Sequence, residues 1–477
     1  MPSSGNARRR HARPHRPGDR RRSRRLGPGR SEGLRLMRIT VFAIGTMGDI
    51  RPFLALSHGL QKKGHQVTLA ASHNFEDLIR RFGVGYAPIT ADYEELMRAA
   101  PEMIENGMNV VKVGRIMRGK LGAMASHWAE EGKAAAEGAE LLIGQGPATI
   151  LVASLSDALG IPCVQAQLQP MTPCSDITPM MLPPTRFKIP GPINLFLYHA
   201  LRMMTWQMFA PAINDILRKD LGLKPYTWRG PYYGGPAERK RVLYAYSEQI
   251  LPKSRDWTAD QQVTGFWFLD EGEVWQPPED LAAFLAAGDK PLYVGFGSML
   301  SKDAERITRI VLEAIRIAGC RAIVATGWGG ITADDSLRSD KVFVLKQAPH
   351  DWLFPRMAAA FHHGGAGTTA AAARAGIPSL VMPFITEQGF WSNQLEKLGA
   401  APHHLNRKTV TAAEMAKAIK AVLDPKLAAN AERLGQKIRQ ENGVERAIRQ
   451  LADWGLLTRA TSAPASGLAF ATDHAGG

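Results

Sequence analysis

One arrangement constrains this chain more than any other: an apolar run, a glycine-bearing loop, a helical stretch and a second apolar run, occurring twice. Residues 37–72 read MRITVFAIGTMGDIRPFLALSHGLQKKGHQVTLAAS. Ile39 to Ile44 form the first run, Leu54, Leu56 and Leu60 mark the helix, and Gln66 to Ala71 resume a strand. Residues 291–327, PLYVGFGSMLSKDAERITRIVLEAIRIAGCRAIVATG, repeat the pattern. A strand, helix, strand unit needs a parallel sheet covered by helices on both faces. Further strands are predicted at Val342 to Leu345, Ala358 to His362 and Pro378 to Phe384. The expected class is therefore α/β, with two doubly wound parallel-sheet domains facing one another. A length of 477 residues fits two such cores. The acidic, proline-bearing stretch DEGEVWQPPEDL places the linker near residues 270–280.

Charge separates the rest of the chain from its beginning. The net charge is +15, but residues 1–36 hold 12 Arg against Asp19 and Glu32, leaving +5 for the remainder. That opening segment is too polar to bury and is predicted to be disordered. Three readings of it stay open: an upstream extension before a start at Met37, a solvated basic arm, or a tether to a membrane or nucleic acid. The modest charge of the remainder argues against a nucleic-acid partner. Cys163, Cys174 and Cys320 are too few and too scattered for a disulfide framework or a zinc site, which suits a reducing cytoplasm. The expected division is 1–36 extension, 37–270 first domain, 271–457 second domain and 458–477 tail. Between Ala91 and Gly235 the text turns rich in Met and Pro, with Met171, Met180, Met181, Met203, Met204 and Met208. It reads as an irregular wall for a bulky apolar ligand.

FHHGGAGTTAAAARAG, residues 361–376, passes from an apolar strand through two histidines and a glycine cluster into a helix. A helix N-terminus presents unpaired N–H groups and the positive end of its dipole, and glycine lets a phosphate approach them. The expectation is a phosphate site. Glu387 and Gln388, in TEQGFW, offer a carboxylate beside an amide, which suits neighbouring sugar hydroxyls. The same residues also suit the start of a helix.

Together IGTMGDIRPFLALSHGLQKKGHQVTLA, QVTGFWFLD, GFGSM, PHDWLFPRMAAAFHHGGAGTTAAAARAGIPSLVMPF and TEQGFWSNQLEKLGAAP resemble the bacterial and fungal sterol glucosyltransferase-like branch of the nucleotide-sugar glycosyltransferases with the GT-B fold. The resemblance runs from about residue 37 to about 455. It implies an acceptor-binding first domain, a donor-binding second domain and catalysis in the cleft between them. By this resemblance His362 contacts the donor diphosphate, Gly364, Gly365, Gly367 and Thr368 form the loop around it, and Ser298 touches the phosphates. Glu387 and Gln388 read the hexose, and Gln347 to His350 line the base. Two departures from the plant pattern, Ala370 for a ribose-binding glutamate and Gln347 for a stacking tryptophan, leave uridine and thymidine both open. No Asp-x-Asp pair stands ready for a metal, so no cofactor is expected beyond the co-substrate, UDP-glucose or a related nucleoside-diphosphate sugar.

The resemblance makes Asp49 the general base, and its place after a parallel strand is where open α/β sheets hold ligands. GDIRP is also good helix-capping text, so Asp49 is expected to serve the helix too. The expected reaction is inverting transfer of a hexose to the hydroxyl of a sterol-like, polyketide or lipid alcohol. A dTDP-deoxysugar transferase is the alternative, with an oxidoreductase or a non-catalytic sugar-nucleotide binder behind it. GTMGDI lacks the G-x-G-x-x-G spacing of a dinucleotide site, which counts against the oxidoreductase. The expected location is cytoplasmic, with peripheral membrane contact left open.

Overall fold

The computed structural model describes residues 36–91, 110–182, 189–232, 240–272, 275–297, 304–326 and 337–457. The Arg-rich opening, the tail after 457 and Ser298 lie outside these residues. The first half runs β1 (Arg38–Phe42), α1 (Met47–Lys62), β2 (Gln66–Ala71), α2 (Glu76–Arg81), β3 (Gly85–Pro88), α3 (Val110–Ala135), β4 (Leu141–Gln145), α4 (Ala148–Leu159), β5 (Cys163–Gln167), α5 (Gly191–Pro211), β6 (Val242–Tyr244) and β7 (Gln261–Val263). The second runs α6 (Glu279–Ala286), β8 (Leu292–Gly295), α7 (Ala304–Ala318), β9 (Ala322–Ala325), β10 (Val342–Leu345), α8 (His350–Leu353), β11 (Ala359–His362), α9 (Ala366–Ala375), β12 (Ser379–Val381), α10 (Thr386–Lys397), α11 (Ala412–Val422), α12 (Pro425–Arg439) and α13 (Gly443–Asp453).

The strands make two sheets, ordered β3-β2-β1-β4-β5-β6-β7 and β10-β9-β8-β11-β12. Their pairings are parallel throughout. Period-2 alternation sends Ile39, Val41 and Ala43 into one core and Phe42 and Ile44 into another on the opposite face. In the second sheet Leu292 and Val294 face one core and Tyr293 the other. Both faces are buried, which is why these strands read as unbroken apolar runs.

The region from Ala91 to Gly235 differs from its expected texture. β4 and β5 continue the first sheet there, and the irregular stretch covers Leu168 to Leu182. LLIGQ and CVQAQ are short, and each ends in a glutamine, which masks the apolar signal. The methionines do not line one wall. Met180 is core, Met203 and Met208 of α5 pack partly buried against the core that holds Trp206 and Ile213, and Met171, Met181 and Met204 are exposed.

The two halves meet over a broad seam, which includes an apolar cluster of Tyr244, Tyr246 and Trp257 from the first with Ala370, Phe390 and Trp391 from the second. Residues 269–272 are held from three directions. Arg51 of α1 donates to the Leu269 carbonyl (3.1 Å) and pairs with Glu271. The Asp351 carboxylate accepts from the Glu271 and Gly272 amides (3.0 and 2.6 Å), and Arg374 pairs with Asp270 (2.6 Å). At the C-terminal end, α13 returns to the first half, where Ala447, Ile448 and Leu451 enter the core beneath α1. The approach is close enough that a Cβ at Gly59 would stand 2.3 Å from Val444 Cγ1. Residues 443–457, which sequence order groups with the second domain, thus pack on the first.

Candidate active site

In a doubly wound sheet the crevice for a ligand opens where the strand order reverses, beyond the carboxyl ends of the strands. The reversal falls between β1 and β4 in the first sheet and between β8 and β11 in the second. Asp49 and Gln145 stand at the first of these places, and His362 and His363 at the second.

Asp49 lies in the first turn of α1, just beyond β1. It is the third residue of the helix, not its cap. Thr46 is the N-cap, and Asp49 Oδ2 accepts from the Thr46 backbone N–H (2.8 Å) and Oγ1 (3.1 Å). Oδ1 accepts from Gln145 Nε2 (3.1 Å) at the end of β4. Burial raises the Asp49 pKa above the ordinary carboxylate range, although the Thr46 and Gln145 hydrogen bonds pull it down. Gly45 turns with φ +151°, and a Cβ there would stand 2.3 Å from Asp49 Oδ2. Glycine is what lets the carboxylate fold back over the loop.

Glu387 meets this site from the second half, in the first turn of α10. It accepts a hydrogen bond from Gln169 Nε2, a residue of the first half. Burial, with the Asp49 charge second, raises its pKa to about 7, against the opposing effect of Gln169. Two carboxylates from opposite halves are therefore close enough to feel one another.

Gln388 does something different from its neighbour. It is 3% exposed, and its Oε1 accepts from the Phe384 and Ile385 amides (2.7 and 3.2 Å). Two otherwise orphaned N–H groups at the start of α10 explain the orientation. The acid-amide pair expected to grip the hexose together is split, with Glu387 toward the cleft and the Gln388 oxygen committed to the helix.

His362 ends β11 and is 0% exposed. Its Nδ1 accepts from the Gly364 N–H (3.0 Å), which puts the ring proton on Nε2. That Nε2, and Nδ1 of His363, are buried with no partner among the described residues. Burial lowers both pKa values, His363 to about 4, so both rings are neutral at pH 7. A buried N–H without an acceptor is costly, by about 1–3 kcal/mol, and an anion at this turn would relieve it.

Gly364, at φ +91°, packs so closely that a Cβ would stand 2.7 Å from Val381 Cγ1 and 2.8 Å from the Gln388 carbonyl. A Cβ at Gly365, the N-cap of α9, would meet His363 Nε2 at 2.4 Å, and one at Gly367 meets nothing within 4 Å. The N–H groups of Ala366, Gly367 and Thr368 precede the first helical bond, from Thr369 N to the Gly365 carbonyl (2.9 Å). They form a ready anion site. Gln347 is exposed after β10. His350 is stacked on Phe354 (4.2 Å) with its Nε2 3.4 Å from the Tyr293 hydroxyl, and burial lowers its pKa to about 3.

Comparison with known proteins places this geometry. Residues 39–136 match the Glycosyltransferase family 28 N-terminal domain, and residues 333–447 match the Erythromycin biosynthesis protein CIII-like, C-terminal domain. A sterol 3-beta-glucosyltransferase of Arabidopsis thaliana is 32% identical over 426 residues, covering 87% of this chain and 65% of that protein. One of Aspergillus clavatus is 33% identical over 426 residues, covering 87% of this chain and 29% of that protein. The chain is similar to the sterol 3-beta-glucosyltransferases over most of its own length, and its fold is GT-B. It spans less than two thirds of the length of these relatives. Among solved structures, the glycotransferase of kitacinnamycin superposes with a TM-score of 0.65 at 17% identity, over 88% of this chain and 99% of that one. The calicheamicin glycosyltransferase CalG4 does so with 0.63 at 16% identity, over 89% of this chain and 100% of that one.

Within this GT-B fold, sequence reasoning missed Gln145, Gln169 and Gly45. The signal for the first two was a polar residue closing or following an apolar strand, LLIGQ and VQAQLQ, at the ligand-binding end of a parallel sheet. Asn does not replace Asp49 without structural cost. Asp49 accepts on both oxygens, from Thr46 on one side and Gln145 on the other. Asn has one acceptor oxygen, so one donor is stranded at about 1–3 kcal/mol. Gly45→Ala forces the carboxylate away from its seat. Turnover is expected to fall by about 10²-fold, the scale of an ångström of misplacement, while calorimetric affinity for the donor nucleotide stays at the wild-type value. An alanine variant of wild-type turnover would contradict this placement of Asp49.

Proposed function

We propose that this protein transfers a hexose from a nucleoside-diphosphate hexose, UDP-glucose foremost, to the hydroxyl of a sterol-like lipophilic alcohol. The observation that carries the reading is the hydrogen bond from Gln169 of the first half to Glu387 of the second, with Asp49 near enough to help raise the Glu387 pKa. The first turn of α10 also packs on the β11–α9 turn, through the Gly364 contact with the Gln388 carbonyl. Asp49 takes the proton of the acceptor hydroxyl, whose oxygen forms the new bond to the anomeric carbon. The bond from that carbon to the diphosphate breaks, and its electron pair leaves with the diphosphate. The α9 N-terminus and the neutral imidazoles of His362 and His363 receive that charge by hydrogen bonding. Glu387 accepts hydrogen bonds from hexose hydroxyls. A single displacement with the base on the acceptor side inverts the anomeric carbon.

A dTDP-sugar is the second reading, favoured by two structural neighbours solved with thymidine diphosphate, a Streptomyces glycosyltransferase at a TM-score of 0.55 and the spinosyn rhamnosyltransferase SpnG at 0.57. The acceptor's lipid nature also favours peripheral membrane contact through α5. That helix carries no acidic residue and exposes Ile193, Phe196 (69%) and Met204, with Trp228 (67%) held beside it by a hydrogen bond from Gln207 to the Trp228 carbonyl.

Turnover of UDP-glucose or a dTDP-sugar with a sterol, with chelator present, tests the reading. Asp49→Asn should lower it by about 10² to 10⁴-fold, the share of a positioned base, and the product should be β-linked. Undiminished turnover in that variant, an α-linked product or strict metal dependence would overturn it. For the membrane contact, Phe196→Glu should abolish co-sedimentation with anionic vesicles, and retention of wild-type binding would contradict it.

A further inference from the structure

Asp49 is held by an amide whose orientation the backbone dictates. Gln145 is 4% exposed, and its Oε1 accepts from the Ile44 N–H (3.1 Å) on the loop after β1. A backbone N–H can only donate, so the amide oxygen must face Ile44 and the NH₂ must face Asp49. The register of β1 against β4, with Phe42 opposite Gly144, brings the two segments level. Gly144 cannot carry a side chain freely, since a Cβ would stand 3.0 Å from Thr149 Cα and from Val152 Cβ. That close packing of α4 on β4 fixes the backbone from which Gln145 projects.

The hydrogen bonds also divide the two carboxylate oxygens. Each ionised oxygen offers about two lone-pair sites. Oδ2 receives two donors, both from Thr46, and Oδ1 receives one, from Gln145. We propose that Gln145 is the positioning residue of the reaction and that Oδ1, the oxygen it holds, is the atom that receives the acceptor's proton. This rests on Asp49 being the general base. The amide can keep donating to Oδ1 as the proton arrives on the second lone pair, so the carboxyl group need not turn during transfer. The groups that face Asp49 are the uncharged Thr46 on its own turn, the uncharged Gln145 on β4 and the ionisable Glu387 on α10 across the cleft. Arg51, one helical step beyond, is turned to Glu271.

Losing the Gln145 donor removes an interaction that favours the ionised carboxylate, so the pH at which the base becomes active must rise. The test compares wild type, Gln145→Met and Gln145→Glu in the pH dependence of kcat/KM for the acceptor. In the Met variant the acidic limb should move to higher pH by about one unit or less, the scale of one neutral hydrogen bond, with turnover regained above it. In the Glu variant two carboxyl groups share the position, and the limb should move further in the same direction. KM for the nucleotide sugar should stay at the wild-type value in both. Combined with Asp49→Asn, neither change at Gln145 should lower turnover further. A fall in kcat by the same factor at every pH, or an unmoved limb in the variant that folds, overturns the proposal. If Asp49→Asn alone leaves turnover intact, the base assignment fails instead, so the two failures are told apart.

Discussion

The reversal of strand order in a parallel sheet is the constraint on which the rest depends. At a reversal the helices on either side leave to opposite faces of the sheet, and the gap between them is the one place where strand ends face an open crevice. The chain makes this reversal twice, between β1 and β4 and between β8 and β11. Asp49 and Gln145 stand at the first, His362 and the α9 N-terminus at the second. Bringing the two crevices face to face yields a site whose base and leaving-group support come from different halves. The seam is set by an apolar cluster shared by the two halves, with Tyr246 against Trp391, by Arg51, Asp351 and Arg374 holding residues 269–272, and by α13 packing back on α1.

Electrostatics inside this seam are arranged by burial. Low polarity pushes the carboxyl groups of Asp49 and Glu387 upward and the imidazoles of His350, His362 and His363 downward. A carboxylate raised toward neutral pH is a better base than one at its usual value, since proton transfer is most efficient when the pKa approaches the working pH. Neutral imidazoles cannot offset a diphosphate by full charge, so the support they give is by directed N–H groups, added to the helix dipole. A glutamine donates to each member of the carboxyl pair, Gln145 to Asp49 and Gln169 to Glu387.

Much of the fold was legible because a parallel sheet buried on both faces leaves apolar runs that nothing else explains. β2 and β10 match their expected bounds, and β11 falls within a residue of its own. β4 and β5 escaped because they are short and end in glutamines, one of which, Gln145, holds Asp49. The loop around His362 was legible from its glycines, two of which the structure shows to be sterically required. The roles of Asp49 and Gln388 in starting their helices were visible as capping text, but which oxygen serves the helix and which the cleft depends on partners about 100 residues away, as Gln145 is from Asp49. Sequence spacing carries no record of such a pairing.

Asp49 and Glu387 belong to one site only if the charge of one is felt by the other. Calorimetric affinity for UDP-glucose, measured against pH in the wild type and in Asp49→Asn, reads that coupling directly. In the wild type, affinity should rise with pH through about 7 as Glu387 ionises and becomes the stronger acceptor for hexose hydroxyls. Removing the Asp49 charge takes away one cause of the raised value, so the midpoint should move to lower pH in the variant. Identical midpoints in the two proteins would contradict a shared site.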